Sequence, residues 1–416
     1  MAIAIRSGEQ TRQVQMVCLD ELVGDDDLLR RVERLVGWGA VRESAAPFYS
    51  DFGRPGVDPV VLVKVFLVAA IRGIGSMRET LRVAQVDLSI RRFLGYGLTE
   101  SLPHHATFSY AQCVRFAQSS VFEQLFTQVL ASCRDAGLLD GSRLIVDATH
   151  VEADAALKSL RAELEVIDGD DMGGGEAPAS ERPALTLAGP RSGPTPKRTA
   201  SNATAVSRTD PDAKLRYKPG HRPHLVHRAQ VATDPKSRVI VAVLAESAAG
   251  HEADSLPVII DRAKWLRHRV AEIVADAGYA SDAVYTSLAA RQITAFIPPQ
   301  PNMLKRAGGQ AARQRCKSPT GVGAAVDRIT HGEGAIAEIK RHGAGRARCR
   351  GTAKLQVQLL LAATAINLKR LTTRPPASAN NAADDDHAAH AQLAILNACL
   401  RALTAHDTDA TSTTGS

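Results

Sequence analysis

Two apolar runs in this chain end in an acid. One is Leu144-Ile145-Val146-Asp147, followed by Ala148-Thr149-His150. The other is Glu272-Ile273-Val274-Ala275-Asp276, followed by Ala277-Gly278-Tyr279. Short apolar runs of this kind read as buried strands, and a strand fixes the direction of its last side chain. An Asp there faces whatever cleft opens at the strand's end. Two such acids on one sheet make a site for a divalent cation. Magnesium prefers oxygen ligands in octahedral array and keeps several waters. Two such ions about 4 Å apart activate a water or a 3′-hydroxyl and stabilise the leaving oxygen in line. The chemistry expected of Asp147 and Asp276 is phosphoryl transfer.

Such a site needs a third carboxylate, expected from a helix packed across the sheet. Glu333 opens the stretch Glu333-Gly334-Ala335-Ile336-Ala337-Glu338-Ile339-Lys340-Arg341, and Glu338 competes with it. Five residues apart on a helix, the two are rotated by about 140°, so both do not reach one site. The residues alone leave open which of them faces it, or whether both face solvent. His150 and Glu152 follow Asp147 and read either as groups supporting it or as exposed residues at a strand end. Other constellations fall short. His104, His105, His221 and His224 match no standard zinc spacing. Gly173 to Gly175 lacks the Gly-Lys-Ser/Thr ending of a phosphate loop. Cys113 and Cys349 lack the His and Asn set of a thiol nucleophile. Asp170-Asp171 reads as a solvated loop, and Tyr279 as packing.

At 416 residues the chain is long enough for two or three units. Hydrophobic content of 44% supplies proper cores, and 4% aromatic content favours helix-rich packing over an all-β fold. The formal net charge is +7, with a sequence pI of about 9.2, which suits a polyanionic partner such as nucleic acid. The six cysteines include no Cys-x-x-Cys pair. They read as reduced, packed thiols of a cytoplasmic protein, with no structural zinc and no disulfide framework. No signal region opens the chain, and no apolar run reaches the ~18 residues of a membrane span. The longest, Val60 to Ile71, carries Lys64 and reads as a core helix.

Residues 1 to about 135 read as helical. Pro59 suits the first turn of the helix that follows it. Gly73-Ile74-Gly75 breaks that helix, and Ser76 caps the next, Met77 to Val86, with Glu79 as capping-box partner. Thr107 is the expected cap of a helix from Phe108 to about Phe116, and residues 121–136 form a fourth. Short helices with tight turns fit either a helix-turn-helix DNA-binding module or a plain bundle. From Gly141 the pattern changes. A strand at Leu144 to Asp147 precedes a Gly-, Pro-, Ser- and Thr-rich stretch from about 166 to 213, read as a flexible insertion. A hairpin follows, His224 to Thr233 and Arg238 to Ala245, turning at Asp234-Pro235-Lys236-Ser237. Then come a helix (Asp254 to Arg269), a strand (Glu272 to Asp276), a helix (Ser281 to Arg291), a strand (Thr294 to Ile297) and a helix from about Gly334. This order predicts an α/β sheet with helices on its faces. Lys305 to Lys354 holds twelve Lys or Arg against three acids. Arg346, Arg348 and Arg350 would share one side if extended. Leu355 to Leu371 reads as a closing core helix. After Pro375 the composition is that of a mostly disordered tail with one short helix, Ala389 to Leu403.

Three blocks of the sequence resemble bacterial insertion-sequence DDE transposases. The first is Gly53-Arg54-Pro55 with Asp58-Pro59 and the apolar helix, then Arg91-Arg92-Phe93-Leu94-Gly95. The second is Val146-Asp147-Ala148-Thr149 with Ser207-Arg208-Thr209-Asp210-Pro211-Asp212-Ala213 and Ala275-Asp276-Ala277-Gly278-Tyr279. The third is Glu333 to Lys340, His342-Gly343, Arg348-Cys349-Arg350-Gly351 and Asn367-Leu368-Lys369-Arg370-Leu371. The resemblance implies an all-α N-terminal DNA-binding domain (1–135) before an RNase H-like mixed sheet with flanking helices (140–372), with residues 373–416 as a tail. It implies Asp147, Asp276 and Glu333 as the catalytic, metal-binding triad, Glu333 being preferred because the family's Glu lies seven residues before a Lys, here Lys340. Two Mg²⁺ ions, or Mn²⁺, are the implied cofactors. The implied partners are terminal inverted repeats and target DNA, with a homo-oligomer assembling on DNA in the cytoplasm, at the nucleoid. Lys340 and Arg341 would lie near DNA phosphates, beside Arg346, Arg348 and Arg350. A binding protein without catalysis, or a metal-dependent nuclease, is the alternative.

Overall fold

The first strand of the sheet runs well past its acid. In the computed structural model, which describes residues 16–50, 52, 56–116, 119–162, 205–217, 222–264 and 270–373, that strand is reached only after a helical region. Eight helices form it: α1 (Leu19–Leu22), α2 (Leu28–Leu35), α3 (Trp38–Ala45), α4 (Pro59–Arg72), α5 (Met77–Val86), α6 (Leu88–Leu94), α7 (His105–Tyr110) and α8 (Val121–Asp135). Asp58 caps α4, its Oδ1 accepting from the Val60 N–H at 2.8 Å, and Pro59 takes the first helical position. Gly73 ends α4 at φ +68°, a conformation suited to glycine. Lys64 is buried within α4 because Glu33 (2.8 Å) and the Phe93 carbonyl (2.6 Å) receive its ammonium.

Two expected caps differ. Ser76 accepts from the Glu79 N–H at 3.5 Å, but the Glu79 side chain pairs with Arg82, so the reciprocal half of the box is spent elsewhere. The third expected helix starts at His105, not after Thr107. The His104 ring caps it, Nδ1 accepting from the Ala106 N–H at 3.3 Å.

The sheet contains β1 (Arg143–Glu152), β4 (Lys214–Arg216), β5 (His224–Thr233), β6 (Ile240–Ser247), β7 (Glu272–Val274) and β8 (Thr294–Phe296). The small strands β2 (Leu160–Ala162) and β3 (Ala205–Ser207) pair apart from it. The spatial order is β6-β5-β1-β7-β8, with β4 continuing the β6 edge of β5. β5 is antiparallel to both β1 and β6, whereas β7 and β8 run parallel to β1. Three antiparallel strands flanked by two parallel ones in this order form an RNase H-like sheet. Helices α9 (Glu252–Lys264) and α10 (Asp282–Ala290) connect its later strands. Beyond β8 follow α11 (Ala307–Lys317), α12 (Pro319–Asp327), α13 (Glu333–Ile339) and α14 (Thr352–Thr372).

β1 has ten residues, and Asp147 is its fifth rather than its last. The strand continues because β5 pairs with it from Ile145 to Glu152. The insertion read from 166 to 213 is shorter in fact than in composition: its end is ordered. Ser207 and Asp210 are fully buried, and Asp210 Oδ2 meets His227 Nε2 at 2.9 Å and accepts from the Gly351 N–H. A buried acid–histidine hydrogen bond holds a stretch whose composition resembles a loop. Gly53 to Pro55, Asp170-Asp171, Gly173 to Gly175, His221 and the tail helix lie outside the described residues.

α14 is apolar around most of its girth and packs on α4, α8 and β6. One hydrophobic core therefore runs from Leu29 in α2 through the sheet to Leu371. Among the described cysteines none forms a disulfide, and the Cys113 and Cys349 sulfurs stand 3.1 Å apart.

Replacing Asp210 by Ala would leave His227 buried without its acid. A loss of about 1–3 kcal/mol is expected, read as a lowered urea midpoint.

Candidate active site

Asp147 owes its place to a mismatch in pairing. β7 accompanies β1 only from Arg143 to Ile145, while β5 accompanies it to Glu152. Two residues past the end of the parallel ladder, Asp147 is half-buried beside the gap where β7 has stopped. Its Oδ1 accepts from the Ala148 N–H at 2.9 Å. The buried residues Leu144, Ile145 and Val146 hold this part of the strand rigid.

Asp276 lies two residues beyond β7. It caps a single turn, Ala277–Tyr279, its Oδ1 accepting from the Gly278 N–H at 2.8 Å. The turn is anchored by Tyr279, whose ring is wholly buried and whose hydroxyl donates to Gln230 Oε1 at 3.1 Å. Gln230 in turn donates to Glu246 at 2.8 Å, and Arg228 pairs with the same carboxylate. Tyr279 thus has the packing role expected of it.

Glu333 opens α13. The residue before it, Gly332, packs against β1: a Cβ there would stand 3.2 Å from Ile145 Cγ2 and 3.6 Å from Asp147 Oδ2. A side chain at 332 would press on Ile145, so glycine eases the close start of the helix beside Asp147. Arg143 fixes the base of the arrangement, donating to Glu272 and to Asp327 at the end of α12, each at 2.6 Å. Glu338 is bound to Arg370 and half-buried, whereas Glu333 is exposed. Glu338 is thus engaged by Arg370, and the Glu333 side chain is open to solvent at the start of α13.

The charges converge. Burial raises the Asp147 carboxyl above its ordinary range. The Ala148 N–H and Arg328 oppose this, while Asp276 and Glu333 add to it. A fourth acid, Glu252 at the start of α9, is raised by burial, then by Asp276 and Asp147. The sequence pattern began that helix two residues later, at Asp254. The available signal was an acid in a first helical turn just after a hairpin. Among the described residues no group of three or more His, Cys, Asp or Glu side chains is close enough, as placed, to hold one metal ion. The donor chemistry nonetheless fits a hard divalent cation, since the acids are oxygen donors crowded on rigid elements, and the glycines at 278 and 332 keep side chains out of their midst.

His150 and Glu152 project from the face of β1 opposite Asp147. Burial and then Arg216, Arg228 and Lys340 lower the His150 imidazole to about 4. Lys340 and Arg341 are exposed after α13, as are Arg346 and Arg350. Arg348 departs from the expected row: its guanidinium turns inward and donates to the Ile74 carbonyl at 2.8 Å. The segment is not a strand, so alternation does not align the three.

Two family models match the chain. The model described as Transposase domain (DUF772) covers residues 17–112, and that described as Transposase DDE domain covers residues 138–368. The chain belongs to the DDE transposase family. It is a DNA transposase, an enzyme class that cleaves DNA and transfers strands, and enzymes of this family use divalent metal ions. No curated protein matches it in sequence. Among solved structures, a piggyBac transposase synaptic complex with hairpin DNA, determined by cryo-EM, shares 8% identity at a TM-score of 0.31. The match covers 86% of this chain and 87% of that one. At that level the likeness is slight, and the fold assignment rests on strand order. Among the described residues no single helix is long and apolar enough to cross a membrane.

A raised carboxyl pKa disfavours the folded state wherever the group is ionised. Asp147→Asn in this transposase should therefore raise the metal-free melting temperature at neutral pH, by about 1–3 °C. The gain should vanish below the ordinary carboxyl pKa, where Asp147 is protonated folded or unfolded. Melting curves across pH 3–7 check the sign.

Proposed function

We propose that this transposase binds the terminal inverted repeats of an insertion sequence, cleaves there, and joins the freed 3′-hydroxyl to target DNA, with Asp147, Asp276 and Glu333 as its catalytic set. One observation carries the reading: Asp147 on β1 is half-buried, and Asp276 from the turn after β7 and Glu333 from the start of α13 lie near enough to add to the rise of its carboxyl. When bound, two divalent cations, magnesium or manganese, would supply Lewis acidity at the scissile phosphate and acidify a water. Asp147 and Asp276 are the rigid holders, one on a strand and one locked by its own turn. Glu333 is the solvent-exposed partner, at the start of α13. Water and then the 3′-hydroxyl serve as nucleophiles, so no covalent protein–DNA intermediate is required.

The exposed cations Lys340, Arg341, Arg346 and Arg350 are assigned to DNA phosphates. Residues 1–135 are assigned to reading the repeats, 140–372 to catalysis, and synapsis of two ends calls for at least a dimer on DNA at the nucleoid.

The test is a joining assay on DNA carrying the element's ends with Mg²⁺. Wild type should give strand-transfer product, and Asp147→Asn, Asp276→Asn and Glu333→Gln should each fall by about 10²-fold or more. Cutting without joining would indicate a nuclease; equal output from wild type and the three variants would indicate a binding protein. Separately, affinity for end DNA should fall with salt, and each Ala substitution at Lys340, Arg341, Arg346 or Arg350 should lower the slope of log K against log salt by about one.

A further inference from the structure

We propose that Glu252 is a fourth metal-holding carboxylate of this site, working as a pair with Asp276 across Gly278. The inference rests on the reading of Asp147, Asp276 and Glu333 as the metal-holding set and extends it by a residue outside that set.

The geometry is specific. A Cβ placed on Gly278 would run into the Glu252 carboxylate and stand 3.0 Å from Asp276 Oδ1. The two acids therefore flank the same backbone atom from opposite elements, the start of α9 and the turn after β7. Glycine at 278 keeps the space between them clear. The helix is not free to roll the acid away, since Ala253, Ser255 and Leu256 are buried on either side of its first turn. Ser255 also donates to Glu246, the acid that anchors Gln230 beneath Tyr279. Among the described residues nothing hydrogen-bonds the Glu252 carboxylate. The neighbouring Arg228 is committed to Glu246 at 2.8 Å and to the Gly250 carbonyl at 2.5 Å.

Two half-buried carboxylates held together without a hydrogen bond between them cost free energy, which a cation would reverse. Hard divalent ions take six or more oxygen ligands, so a fourth acid adds donor capacity that the other three lack. A helix N-terminus also favours an acid. On that simpler account Glu252 would affect stability and leave metal binding untouched.

Mn²⁺ titration calorimetry on the full chain separates these accounts, with circular dichroism checking the fold of each variant. Glu252→Gln should weaken Mn²⁺ binding about tenfold or more, as should Asp147→Asn. Wild-type affinity in folded Glu252→Gln, with Asp147→Asn weakened, overturns this inference and leaves the site reading standing. Affinity that Asp147→Asn also leaves intact, or no uptake by wild type, removes the site reading as well. Should Glu252→Gln fail to fold, Glu252→Asp decides in the same way: weakened binding supports the inference, wild-type binding overturns it.

Discussion

β1 is shared between two ladders of unequal length, and the geometry of the candidate site follows from that inequality. Its antiparallel partner β5 stays with it to Glu152, while its parallel partner β7 leaves at Ile145. A strand backed on one edge and bare on the other remains straight yet exposes its side chains to the gap. Asp147 occupies the first turn of that gap. The chain leaving β7 has to fold away there, and its capped turn brings Asp276 alongside. The missing side chain at Gly332 then lets α13 close in from a third direction.

Gathering anions this way opposes folding, so the surroundings must compensate. Below the turn, Tyr279, Gln230 and Glu246 form a hydrogen-bonded chain, and Arg228 adds an ion pair to Glu246. Such networks stabilise when every member is satisfied and define one arrangement of the core. Farther out, Arg143 clamps Glu272 and Asp327, tying the foot of β1 to α12. The Asp210–His227 pair does similar duty where the chain returns from residues 163–204. Perturbed acids at the centre and paired charges around them are the usual compromise at catalytic sites.

Much of this was legible in the residues because the signals were local. Apolar runs ending in acid marked β1 and β7; Asp58-Pro59 and Gly73 bounded α4; the Asp234 to Ser237 turn marked the hairpin. What escaped depended on distant partners. The true length of β1 is set by β5, whose paired residues lie 74 to 88 positions away in the chain. The order at Ser207 to Ala213 comes from His227 and Gly351, which composition does not register. The inward turn of Arg348 is decided by the Ile74 carbonyl. Glu252 was passed over because its meaning lies in what it faces, across a glycine on another element.

α14 carries a different implication. Fifteen of its twenty-one residues are buried, and they touch α4 and α8 on one flank and β6 on another. Lys369 even reaches the Ile71 carbonyl at 2.8 Å. The two matched segments thus lean on a common spindle contributed by only one of them. Modular shuffling, in which a recognition half from one element is grafted onto the engine of another, would bare a greasy strip on that spindle. Such chimaeras would have to inherit α14 together with its helical neighbours, so the halves are constrained to evolve as one piece.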